Sequence, residues 1–147
     1  MADDTNHPEI IGYSFLVDPA SHQIDQLLGL YRAAEWWEEG VDDPASIERL
    51  IAGSHCFTIA TIEAEIIGMG RAISDGISDA YIQDITVEPS LRRRGIASRI
   101  VMELIKRLQA DGLNWIGLIA ERGTEPFYAK LGFDSMDNST PMLLKAP

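Results

Sequence analysis

The sequence predicts an α/β fold with elements in the order β-α-α-β-β-β-α-β-α-β-β. Three observations predict it. Within Tyr81 to Val87, Ile85 and Val87 alternate with polar neighbours as in a half-buried strand, and Pro89 ends the ladder because it has no N–H to donate. Downstream, Ile96, Ile100, Val101, Leu104, Ile105 and Leu108 recur at helical spacing and draw one apolar stripe. Between the two periods lies a basic glycine turn, Arg92 to Ala97, so the chain passes from strand to helix within a few residues.

The remaining elements follow in order. Met1 to Glu9 reads as a loose tail ended by Pro8, and Ile10 to Val17 as a first strand stopped by Asp18-Pro19. Ser21 is placed to cap a helix through Ile24, Leu27, Leu28 and Tyr31, with Gly29 as its weak point. Trp36-Trp37 and an acidic run follow, with Trp36 expected to pack on the sheet. Pro44 then falls in the first turn of a second helix containing Ile47, Leu50 and Ile51. Cys56 to Ile62 and Ile66 to Ile73 read as a hairpin, although Glu63-Ala64-Glu65 is a weak turn sequence; Gly68 and Gly70 thin the second strand. Asp111-Gly112 stops the long helix, Trp115 to Ile119 reads as a strand, and Thr124 as the cap of a last helix ending near Lys130-Leu131 before Gly132. Phe133 to Met136 and Met142 to Leu144 are expected as closing strands, and Met69, Met102 and Met142 as core filling.

A chain of 147 residues suits one domain with a sizeable core, spanning residues 1–147. Its 23 acidic against 12 basic side chains give a net charge of −11, which argues against non-specific nucleic-acid binding and suits a cationic small molecule near an acidic face. The same charge also serves solubility alone. The single cysteine, Cys56, excludes an intramolecular disulfide framework and suits a reducing, cytoplasmic compartment. The acidic start has no signal-peptide pattern, and no apolar run approaches membrane-spanning length. His7, His22 and His55 lack metal-ligand spacing, so no metal is expected, and Cys56 reads as a buried thiol rather than a nucleophile.

The strand–turn–helix unit is where chemistry is expected. The first amides of a helix have no intrahelical partner, and the helix dipole behind them favours an anion such as a pyrophosphate. Arg92-x-x-Gly95-x-Ala97 after Asp84-Ile85-Thr86-Val87-x-Pro89 resembles the acetyl-CoA signature of the GNAT superfamily of N-acetyltransferases. Further on, Phe127-Tyr128-x-Lys130-x-Gly132-Phe133 resembles a second signature of that family. Two signatures in the expected order are far more specific than either string alone.

The resemblance implies a mixed, curved sheet with helices on both faces, a three-layer α/β/α arrangement. It also implies acetyl-CoA as cofactor, leaving as coenzyme A. It assigns cofactor binding to Ile85, Thr86, Val87, Arg92, Arg93, Arg94, Gly95, Ile96, Ala97, Ser98 and Tyr128. The backbone N–H of Ile85 becomes the donor that polarises the thioester carbonyl, and Tyr128 the acid that protonates the leaving thiolate. Asp84 and Glu121 are the candidates for a base; Glu121 departs from the asparagine common there in the family. By position Trp37, Glu38, Tyr81 and Glu121 fall to the acceptor. A small cationic primary amine is the expected acceptor, with a peptide or protein amine, or a non-catalytic acetyl-CoA sensor, as alternatives. A homodimer remains open.

Overall fold

The structure, a computed structural model, describes residues 9–37 and 43–147. Its elements are β1 (Ile11–Phe15), α1 (Ser21–Ala33), α2 (Pro44–Gly53), β2 (Cys56–Ile62), β3 (Glu65–Ser74), β4 (Asp79–Val87), α3 (Ile96–Ala110), β5 (Trp115–Gly117) and α4 (Glu125–Ala129), with a 3-10 turn at Pro89–Leu91. The strands form one mixed sheet in the order β1-β2-β3-β4-β5, antiparallel except for the parallel pair β4–β5.

Local chemistry accounts for the element ends. Asp43 caps α2 by accepting from the Ser46 N–H at 2.7 Å, with Pro44 in the first turn. At the start of α1 the cap is Ala20 rather than Ser21, and the Gln23 side chain reaches back to its N–H at 2.8 Å. The weak β2–β3 turn works because Glu63 and Ala64 both take positive φ (49° and 68°), the mirror-image geometry that suits the twist of a two-residue hairpin.

Helices cover both faces, giving three layers. The apolar stripe of α3 (Ile96, Ile100, Val101, Leu104, Leu108) packs with Ala72, Ala80, Ile82 and Val87 on one face. On the other, Ile24, Leu27, Leu28 and Tyr31 of α1 and Ile47 and Ile51 of α2 close over Phe57, Ile59, Ile66 and Met69. Gly70 lets α3 approach the sheet: a Cβ there would lie 2.8 Å from Ile100 Cγ2. Cys56 is buried, and burial pushes its thiol up to about 11, so it is protonated and inert at neutral pH.

The two closing strands do not form. Among the described residues β5 ends the sheet on that side, with no strand beyond it, and Met142, Leu143 and Leu144 are more than nine-tenths exposed. Asp134 to Pro141 is polar, turns at Asn138 (φ 55°) and ends in a proline, leaving a short apolar run without alternation to specify a face. Of the three methionines expected in the core only Met69 is there; Met102 and Met142 are 39 % and 91 % exposed. Trp37, not Trp36, packs: it stacks on Tyr31 at 4.5 Å, while Trp36 meets the same ring edge-on at 6.0 Å and is 41 % exposed.

No helix of the described residues is long and apolar enough to cross a membrane, and among them no cluster of three or more His, Cys, Asp or Glu could hold a metal ion.

Candidate active site

The site begins where the sheet comes apart. The β4–β5 pairing runs only from Asp79↔Trp115 to Tyr81↔Gly117, so among the described residues Ile82 to Val87 have no strand neighbour on that side. Backbone groups along this half of β4 face a gap instead of a ladder. Into the gap opens a cavity of about 510 Å³, walled by Ile85, Thr86 and Val87 of β4, Leu91, Arg92, Arg93 and Gly95 of the turn, the first residues of α3, and Thr124, Phe127 and Tyr128 at α4.

The turn is built from two left-handed residues, Arg93 (φ 64°) and Gly95 (φ 77°). Gly95 caps α3 without a side chain, and a Cβ added there would meet nothing within 4 Å. The first bond of α3 runs from the Arg99 N–H to the Gly95 carbonyl at 3.1 Å. The amides of Ile96, Ala97 and Ser98 therefore precede the helical ladder, and all three residues line the cavity. Arg92 ties the turn to the strand by donating from Nε to the Val87 carbonyl at 3.3 Å. A glycine-floored cavity with free amides, two arginines and an unpaired strand edge fits the pyrophosphate and extended arm of acetyl-CoA.

Further along β4 the strand carries a bulge. The β3 register steps from Met69↔Thr86 to Arg71↔Gln83, leaving Asp84 and Ile85 opposite Gly70 alone. Asp84 takes φ 58°. As a result Ile82, Ile85 and Val87 all pack on the α3 side, although an uninterrupted strand would put Ile82 and Ile85 on opposite faces. The bulge turns Asp84 the other way, where its Oδ2 accepts from the Tyr31 hydroxyl at 2.7 Å and from Arg71 Nε at 2.6 Å.

On the facing wall Tyr128 lies half-buried between Phe127 and Phe133, with ring centroids 4.9 and 5.9 Å away. Burial, and secondarily the negative charge of Glu121, raise its pKa above the ordinary value of 10.0. Its phenol is protonated throughout the neutral range and able to donate.

The predicted site residues therefore separate into groups. Every proposed cofactor residue except Arg94 lines the cavity; Arg94 pairs with Glu9 at 3.2 Å. Glu121 is exposed at the turn before α4, where its carbonyl receives Thr124 Oγ1 at 2.7 Å. Tyr81 and Trp37 lie outside the cavity wall, Tyr81 edge-on to Trp115 at 5.3 Å, and Glu38 lies outside the described residues. Leu91, Thr124 and Phe127 complete the wall without having been assigned to the site from the sequence, where Thr124 reads as a helix cap and Phe127 only as part of the second signature.

Residues 18–142 match the sequence model of the acetyltransferase (GNAT) domain family. The chain belongs to the GNAT family. Among curated GNAT relatives, it is 32 % identical over 116 residues to GCN5-related N-acetyltransferase 1, chloroplastic, from Arabidopsis thaliana, covering 76 % of this chain and 56 % of that protein. It thus spans little more than half of that relative's length. Two solved structures share the GNAT fold. A predicted acetyltransferase from Clostridium acetobutylicum, determined with acetyl-CoA, superposes with a TM-score of 0.71 at 19 % identity, covering 91 % of this chain and 96 % of that one. An aminoglycoside acetyltransferase from an uncultured soil metagenomic sample, in complex with sisomicin, does so with a TM-score of 0.74 at 16 % identity, covering 93 % and 97 %.

Proposed function

We propose that this GNAT domain transfers an acetyl group from acetyl-CoA directly to the primary amine of a small, cationic molecule. The observation that carries the reading is the gap beside Ile82 to Val87, which joins one cavity to three elements: the unpaired edge of β4, the free amides of α3 and the hydroxyl-bearing face of α4. Acetyl-CoA supplies the acetyl group as an activated thioester. In this reading the turn from Arg92 to Ser98 binds the phosphates, and the Ile85 backbone N–H donates to the carbonyl oxygen as negative charge develops. Tyr128 holds a proton on the opposite wall for the departing sulfur. The chain needs no nucleophile of its own, and Cys56 is buried away from the cavity lining.

For the acceptor, support comes from the net charge of −11, the aromatic group Tyr31–Trp36–Trp37 on the α1 side of the sheet, and Glu121 within electrostatic reach of Tyr128. The aminoglycoside acetyltransferase of the same fold was determined in complex with sisomicin, which puts aminoglycosides in the panel. The test is release of free thiol from acetyl-CoA in the presence of a panel of polyamines, aminoglycosides, neutral amines and peptides. Turnover concentrated on small cations is expected. Turnover on peptides alone would move the acceptor to a protein amine, and tight binding without turnover would make the domain a sensor.

A further inference from the structure

We infer that Asp84 is a positioning residue of the transfer reaction: clamped by Tyr31 and Arg71, it locks the bulge of β4 and thereby fixes the Ile85 backbone in the cavity wall. This rests on the proposed acetyl transfer and gives it a device in which Tyr31 and Arg71, absent from both signatures, take part.

The clamp joins three elements. Tyr31 comes from α1 and is 1 % exposed; Arg71 comes from β3, Asp84 from β4, and both charged side chains are largely shielded. Both donors converge on one oxygen, Oδ2. Arg71 is held in turn by Gln83 Oε1 at 3.2 Å and by Ser54 Oγ at 3.4 Å, so its guanidinium spans the bulge it stabilises. Trp37 stacks on the Tyr31 ring. Burial, reinforced by the carboxylate beside it, raises the Tyr31 pKa well beyond the ordinary phenol range, so the hydroxyl remains a donor.

A non-glycine residue at φ 58° in mid-strand needs compensation, which these bonds provide. Without them the strand can relax to regular pairing, and by the period of two that would turn Ile85 to the other face. The same bonds argue against Asp84 as the general base. Its Oδ2 already accepts from the Tyr31 hydroxyl and from Arg71 Nε, and Asp84 is not among the residues that wall the cavity.

Asp84→Asn and Asp84→Ala separate the two roles. Asparagine tolerates the left-handed conformation and still accepts from Tyr31 and Arg71, but it cannot take a proton; alanine does neither. With wild-type kcat as reference, Asp84→Asn is expected within about tenfold and Asp84→Ala down roughly 10²-fold, with the KM of the amine little changed in both. Tyr31→Phe, which leaves the carboxylate in place, should lower kcat several-fold. A second readout needs no acceptor: the carbonyl ¹³C shift of bound [1-¹³C]acetyl-CoA reports polarisation of the thioester. It should be kept in Asp84→Asn and move toward the free value in Tyr31→Phe and Asp84→Ala. Loss of rate in Asp84→Asn equal to that in Asp84→Ala, or a wild-type carbonyl shift in both Asp84→Ala and Tyr31→Phe, would overturn the inference. If Asp84→Ala does not fold, the asparagine and phenylalanine variants decide alone: a dead Asp84→Asn or an unchanged Tyr31→Phe overturns it. Wild-type protein that binds acetyl-CoA without transferring to any amine would overturn the proposed activity while leaving the carbonyl-shift comparison to judge the clamp.

Discussion

Replacing Tyr128 by phenylalanine removes one oxygen from the cavity wall and leaves the ring in its contacts with Phe127 and Phe133. The phenol oxygen has no hydrogen-bond partner among the described residues, so the folded protein loses no internal bond and stability should change by less than about 0.5 kcal/mol. If the hydroxyl donates to the leaving sulfur, its removal acts in the transition state alone. A positioned acid contributes roughly 10²–10⁴-fold, or about 2.7–5.5 kcal/mol of barrier. The upper part of that range applies only if water cannot reach the sulfur, because a thiol of ordinary pKa is already a tolerable leaving group. The assay pairs steady-state thiol release with calorimetric binding of acetyl-CoA for both proteins. Because burial raises the Tyr128 pKa, the wild-type rate should not fall through loss of this acid until the pH exceeds 10.0. A fully active Tyr128→Phe would refute the assignment and return Tyr128 to packing; equal losses in rate and in acetyl-CoA affinity would make it a binding residue only.

Three further outcomes are expected. Gly95→Ala places a β-carbon at φ 77°, costing about 1–2 kcal/mol of stability by thermal or denaturant unfolding, with no internal clash; acetyl-CoA affinity should fall more than this strain accounts for, because the new methyl joins the cavity wall. Gly70→Ala overpacks the contact with Ile100 beneath the bulge and should destabilise by about 1–3 kcal/mol while lowering kcat, read from unfolding and from thiol release. Alkaline pH should destabilise the protein in two stages. Cys56, raised from 9.0 to about 11, favours the folded state below pH 9 and loses that contribution as pH rises toward 11, while the raised phenols of Tyr31, Tyr128 and Tyr13 act in the same direction above 10.0. Unfolding curves of wild type and Cys56→Ala between pH 8 and 11 check the first stage, which the variant should lack.

What the sequence disclosed depended on how local each determinant is. The passage from β4 to α3 is written in a change of hydrophobic period across a glycine turn, so both elements can be read from it, while the cavity residues among them are marked by the resemblance to the family signature. The bulge at Asp84 cannot, because it is defined by the β3 register, and neither the Arg71 nor the Tyr31 partner lies in a recognisable motif. The β2–β3 turn has no glycine or asparagine to announce it, and tertiary pairing overrides the reluctance of Glu63 and Ala64 to adopt positive φ. The closing strands failed for the opposite reason: short apolar runs at Phe133 and Met142 suggest strands, but the intervening polar turn and Pro141 keep them from pairing. Trp36 and Trp37 are chemically identical neighbours, and only the position of Tyr31 on α1 determines which one stacks.

The central claim is that acetyl-CoA lies between the unpaired edge of β4 and the first turn of α3. Titrating isotopically labelled protein with acetyl-CoA while following backbone amide resonances tests it most directly. The account predicts saturable binding of one molecule per chain, with the largest shifts at Ile85, Thr86, Gly95, Ile96, Ala97 and Ser98. Absence of binding, or shifts confined to other parts of the sheet, would contradict it.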